Sequence, residues 1–206
     1  MDRAQVHTLE AFIAALLIVG ALLFASQATA VTPLSASTSN QHIENQQQQM
    51  ADDLLSITAR DGTLQEALLY WNESYEEHNE GHFAHTPPER GTYSSIFDGD
   101  FDHPLEEPLN ESFGSGVYAY NIELRYLDTD ENFSSTDMVV MGTPSDNAVT
   151  ASRTVTLYAN DTITGEGSPI ELHELNYEDD EIWAPNVNES SLVYNVVEVR
   201  MTIWRM

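Results

Sequence analysis

The sequence predicts an α+β protein: an N-terminal transmembrane helix, short amphipathic helices, then an antiparallel sheet of about four strands. Three observations carry that expectation. Residues 11–31 form an apolar run interrupted only by Ser26, Gln27 and Thr29. Residues 41–71 place apolar side chains at helical spacing between recognisable start and stop signals. Beyond residue 117 the period drops to two in separate segments, the mark of half-buried antiparallel strands.

Residues 1–10 read as a short cytoplasmic leader. From Ala11 to Ile43 there is no Asp, Glu, Lys or Arg. As a helix, residues 11–31 would extend roughly 32 Å, close to the ~30 Å hydrocarbon thickness of a bilayer. Glu10 stands directly against this run. An ionisable group at membrane depth points to function; the plainer alternative is an interfacial acid interacting with the positive end of the helix. "ATA" at residues 28–30 offers a signal-peptidase site, and cleavage after Ala30 would release a secreted domain. Against this, the leader "MDRAQVHTLE" carries one Arg and two acids, whereas a secretory signal begins with net positive charge. Arg3 favours a cytoplasmic N-terminus and an extracellular C-terminal domain.

In residues 32–71, Pro33 is expected to break or kink the helix, because it lacks an N–H and clashes with the preceding turn. A Ser/Thr-rich connector, "TPLSASTSN", follows. Ile43, Met50 and Ile57 then recur at seven-residue spacing with Leu54 near them, and this stripe is expected to pack on the protein's own sheet. The alternative is a coiled-coil seam with another subunit. Asp61-Gly62 ends that helix, and "TLQE" at 63–66 has the form of a capping box opening a second one with Leu64, Leu68 and Trp71 apolar.

Residues 72–116 form an acidic, histidine-containing insertion with eleven acids and four His, expected to pack through Phe83, Phe97 and Phe101. His78, His82, His85 and His103 are its candidate metal ligands, "HNEGHFAH" giving i, i+4 and i+7 spacing. Asn79 follows His78, so the zinc-protease pattern is not met. "DGDFD" at 98–102 and "DTDEN" at 128–132 begin like calcium loops but lack the glycine and glutamate such loops require.

Residues 117–206 carry the strands. Tyr118, Tyr120, Ile122, Leu124 and Tyr126 alternate with smaller or polar residues. "DMVVMG" is a shorter apolar strand, and "SRTVTLYAN" alternates again. Val197, Val199, Met201 and Ile203 share one side of the last segment, with Glu198, Arg200 and Thr202 on the other.

Composition excludes several functions. Seven Arg and no Lys face 34 acids, giving a net charge of −27. Such a chain repels phosphate backbones, so it offers no basic surface to nucleic acid. Hydrophobic residues still make up 41%, enough for a core. Cysteine is absent, which removes disulfides, thiolate ligands and cysteine nucleophiles. No nucleophile elbow, phosphate-cradling loop or dinucleotide fingerprint occurs, so a non-catalytic protein without cofactor is expected.

Five Asn-x-Ser/Thr sequons fall at Asn72, Asn110, Asn132, Asn160 and Asn188, all beyond the apolar run. Chance pairing of 13 Asn with 34 Ser and Thr would give roughly two. They are candidate N-glycosylation sites and agree with an extracellular domain.

The stretch "RAQVHTLEAFIAALLIVGALLF" resembles the N-terminus of archaeal type IV pilin-like proteins. By that resemblance Arg3-Ala4 ends a leader, cleavage falls between Ala4 and Gln5, and Glu10 pairs with a neighbouring subunit's terminal amine. Glu10 is then the sixth mature residue, one beyond the usual fifth. "HTLEAFIAALL", "ATAVTPLSASTSNQHIENQ", "MGTPSDNAV", "SRTVTLYAND" and "VYNVVEVRMTIWRM" resemble a group of uncharacterised haloarchaeal membrane proteins with a pilin-like N-terminus and an extracellular α+β domain. The acidic, Lys-free composition is similar to that of proteins from salt-accumulating archaea, where it serves solvation. The resemblance implies an accessory subunit of a cell-surface assembly, partnered by the membrane through residues 11–31 and by other pilin-like subunits. An anchored monomer or a secreted protein, binding a ligand or cation through residues 72–116, is the competing expectation.

Overall fold

The computed structural model describes residues 3–72, 81–86, 91–96, 103–114, 116–165, 169–179 and 181–206, with backbone alone for 3–6 and 27–40. It divides into two compact units, Met1–Asn45 and Gln46–Met206.

Helix α1 runs Arg3–Asp61. Its backbone is helical through Pro33 and the Ser/Thr-rich stretch, so the expected break and connector at residue 32 are not what the chain adopts. A proline inside a helix costs one hydrogen bond and a local clash, but its φ is already helical. With apolar residues on one side and a Gln-rich turn on the other, propagation outweighs that loss, because only the first turn of a helix is hard to nucleate.

The second unit begins with the C-terminal part of α1. The side chains buried there are Gln47, Ala51, Leu54, Leu55 and Thr58, at the i, i+4, i+7, i+8, i+11 spacing of a packed helix face. Ile43, Met50 and Ile57 are exposed, Ile57 at 63%, so the seven-residue stripe is not the packing face. Only Leu54 of that set is buried. The buried row lies roughly a quarter turn away. It was masked by its small and polar members: Ala51 permits close approach, and Thr58 satisfies its hydroxyl by donating to the Leu54 carbonyl at 2.8 Å.

Gly62, at φ 92°, ends α1 in the left-handed conformation that glycine adopts without steric cost. Helix α2 is Thr63–Leu68, and Thr63 is its first helical residue rather than its cap. The expected capping box does not form. The Asp61 carboxylate instead accepts the Thr63 N–H at 3.0 Å, and that bond holds the Asp61 carboxyl below its ordinary range.

Two short strands follow, β1 (Trp71–Asn72) and β2 (His82–Phe83), paired antiparallel, and then α3 (Glu106–Phe113). The main sheet comprises β3 (Tyr118–Leu127), β4 (Phe133–Val140), β5 (Val149–Tyr158) and β6 (Val193–Arg205). Its order is β4-β3-β6-β5, every pair antiparallel. Three of these are the segments whose period-two alternation predicts strands; the fourth, β4, takes in the first four residues of the apolar run "DMVVMG" but begins at Phe133, earlier than that run. The C-terminal segment is central, so both its edges are paired.

Register explains the two faces. Tyr120 pairs with Ile203, Ile122 with Met201, and Leu124 with Val199; Ala151 pairs with Met201 and Val155 with Val197. All of these side chains are buried in one core with Leu54, Leu55, Leu64, Leu68, Leu109 and Phe113. Burying each large apolar side chain contributes about 1.5–3 kcal/mol. The opposite face carries ion pairs, Arg125 meeting Glu198 at 3.2 Å and Arg200 approaching Glu123 at 3.9 Å, and at one end a buried Ala119–Trp204 pair. The outer edge of β4 is partly covered by Tyr93, whose N–H donates to Met138 and whose carbonyl accepts from Val140. Such cover limits strand-to-strand aggregation. Phe83 packs in the core as expected; Phe97 and Phe101 lie outside the described residues.

Candidate functional site

The N-terminal unit contributes one span, His7–Ser26, long and apolar enough to cross a membrane, with its side chains exposed. Its length and composition meet the requirements of either a membrane span or a signal sequence. Glu10 lies one turn from His7, its carboxylate 3.7 Å from the His7 Nδ1, with both side chains exposed. Ala4 and Gln5 belong to the backbone of α1, upstream of Glu10.

The histidines of the acidic insertion take separate structural roles. His103 is buried at 3% exposure. Its Nδ1 accepts the Leu105 N–H at 3.0 Å, and its carbonyl accepts the Glu106 N–H at 2.9 Å, as the chain turns into α3. Tyr70 and Tyr93 stand edge-on to the ring at 5.5 and 5.0 Å. Burial pushes the imidazole pKa down to about 3, so the ring is neutral. With Nδ1 accepting, the proton sits on Nε2, which has no hydrogen-bond partner among the described residues. His85 stacks on Tyr70 at 5.8 Å, at a positive φ of 62°. His82 pairs with Asn72 across β1 and β2. His78 lies outside the described residues. Among the described residues no group of three or more His, Asp or Glu is placed to hold a metal ion, so His82, His85 and His103 are not gathered as ligands. A stacking ring and a buried ring have already committed their faces to packing.

The "DTDEN" turn also has a structural explanation. The Asp128 carboxylate accepts the N–H groups of Asp130 and Asn132 at 2.9 and 2.8 Å, an Asx-type turn that joins β3 to β4.

A cleft of about 330 Å³ is lined by Trp71, Tyr126, Tyr177 and Trp183 among others. Its indole donors are already used: Trp71 Nε1 donates to the Glu181 carbonyl at 2.8 Å, and Trp183 Nε1 to the Leu68 carbonyl at 3.3 Å. These rings close the core around the β1–β2 pair rather than present polar groups to a ligand.

The sequons are not equivalent. Asn72 is 8% exposed in β1, with the backbone of Gly165 against its side chain, so it is not open to modification in the folded domain. Asn110 is exposed but lies within α3. Asn132, Asn160 and Asn188 are exposed in turns.

Sequence reasoning missed Asn195, which is fully buried in β6. It donates to the Leu127 and Pro185 carbonyls at 3.0 and 2.9 Å, and so ties the end of β3 to the loop before β6. The only signal was a polar residue between Tyr194 and Val196 in an otherwise apolar run.

No curated protein and no solved structure matches the chain. A model of a family of unknown function, DUF7288, matches residues 3–203, and the chain belongs to that family.

Proposed function

We propose that the protein is a non-catalytic, membrane-anchored accessory subunit of a pilin-like surface assembly, displaying its acidic α+β domain outside the cell. One observation carries this reading. The helix whose C-terminal turns pack into the domain core is the same helix that bears the wholly exposed apolar span His7–Ser26. An exposed apolar surface of that size needs a lipid or protein environment. In a bilayer it stores the subunit, and against other helices it supplies the assembly surface.

Glu10 sets the register in this reading. A carboxylate drawn into an apolar helix bundle is costly unless a cation meets it. A neighbour's terminal amine, freed by cleavage between Ala4 and Gln5, would be that cation. The haloarchaeal reading rests on the Lys-free acidic composition, which keeps the domain hydrated in brine.

The test is affinity purification of tagged full-length chain after mild cross-linking, comparing wild type with Glu10→Ala. Loss of cross-linked partners with membrane retention unchanged is the expected result. Unchanged partner recovery contradicts the assembly role.

A further inference from the structure

Three of the five sequons meet at one end of the sheet. Leu127 pairs with Phe133 at the turn that carries Asn132. Tyr158 pairs with Val193 where β5 ends and β6 begins, placing Asn160 just after one strand and Asn188 shortly before the other. Arg125 opposite Glu198 places the end of β3 beside the early part of β6, at this same end. Within this unit the chain enters at the other end, where the Gln48 side chain donates to the Thr150 carbonyl at 2.7 Å near the start of β5.

This end is built rather than loose. Buried Asn195 ties Leu127 to Pro185, so the segments bearing Asn132 and Asn188 hang from one residue. The Asp161 carboxylate fixes the Asn160 turn by accepting the Tyr158 N–H and the Gln65 amide, both at 2.7 Å. Asn188 Oδ1 accepts the Ser190 N–H at 3.0 Å, and the residue is exposed. Among the described residues the side chains of Asn132 and Asn160 make no hydrogen bond.

We infer that Asn132, Asn160 and Asn188 are N-glycosylated together and crown this end of the domain, while Asn72 and Asn110 stay bare. The inference rests on the proposed extracytoplasmic placement. A transferase reads a sequon in an accessible loop. Asn72 is buried, and in α3 the Asn110 and Ser112 side chains, two apart on a helix, do not face each other. The co-substrate is an oligosaccharide linked through phosphate to a polyprenyl lipid. Asparagine Nδ2 bonds to the anomeric carbon, and the anomeric carbon–oxygen bond to phosphate breaks. The lipid phosphate leaves with that electron pair, and one Nδ2 proton passes to the transferase's base.

The test is peptide mass spectrometry of full-length protein purified from its own cells. Sugar on Asn132, Asn160 and Asn188, with Asn72 and Asn110 bare, is expected. Ser134→Ala, Thr162→Ala and Ser190→Ala should each remove one glycan's mass while leaving the paired asparagine in place. Bare asparagines at all three positions, or sugar on Asn72 and Asn110 instead, overturn the inference. Protease treatment of intact cells reads topology separately. An accessible domain with bare asparagines sinks the glycosylation alone, whereas a protected domain sinks the extracytoplasmic reading with it.

Discussion

The Nδ1 of His103 accepts the backbone N–H of Leu105 at 3.0 Å, so a neutral imidazole braces the turn that leads into α3. The ring's pKa falls from 6.5 to about 3 on burial. Above pH 6.5 the ring is neutral whether the chain is folded or not, and its full contribution to stability is present. As pH falls from about 6.5 to about 3 the unfolded chain gains a proton that the folded one does not, so stability is lost at up to ~1.4 kcal/mol per pH unit. Urea melts of wild type and His103→Asn across this window check the claim. Asn keeps a side-chain acceptor for Leu105 but does not ionise. The variant should start less stable, having lost packing against Tyr70 and Tyr93, and show the shallower decline with acid.

Glu123 and Asp137 face each other across β3 and β4. Partial burial, followed by repulsion from Glu123, raises the Asp137 carboxyl pKa. Like charges directly opposed in a sheet are destabilising. Asp137→Asn should raise stability by about 0.2–1 kcal/mol in low salt, and the gain should fade in molar salt as the repulsion is screened. Paired urea titrations at the two salt concentrations measure both effects.

The packing face of α1 gives a third contrast. Leu55→Ala should cost about 2–5 kcal/mol, because Leu55 is 1% exposed in the core. Ile57→Ala should stay within about 0.5 kcal/mol. If Ile57 proved the costlier of the two, the seven-residue stripe would be the packed face after all.

Asn195→Ala removes both donors to the Leu127 and Pro185 carbonyls. Each buried carbonyl left without a partner costs about 1–3 kcal/mol. The loss should appear in the unfolding midpoint, and amide exchange should rise first around residues 185–192.

Strands β3, β5 and β6 were legible because one face of each is wetter than the other, which writes alternation into the sequence; β4 showed only as an apolar run, because its two buried residues, Met138 and Val139, are adjacent. Val197, Val199, Met201 and Ile203 are all buried on the side their spacing assigns. The helices were less legible. Counting only large apolar residues in α1 selected Ile43, Met50 and Ile57 and overlooked the buried Ala51 and Thr58, one small and one polar. Pro33 misled because a local penalty was weighed without the helix on either side of it. At the candidate site, Glu10 was conspicuous as a charge against an apolar run. The role of His103 was not, because its bond depends on a turn that brings the Leu105 N–H back to the ring, and histidine spacing alone suggested ligands. Sequon accessibility likewise depends on fold: Asn72 and Asn132 carry the same motif, and the first is buried in β1 with the Gly165 backbone against its side chain.

The central claim is that residues 11–31 remain on the mature protein as its anchor. Intact-mass measurement of the full chain's own N-terminus, on protein extracted from washed membranes, tests it most directly. A mature start at Gln5, with the apolar span retained, is the expected result. A start at Val31, with the protein recovered in the soluble fraction, contradicts it.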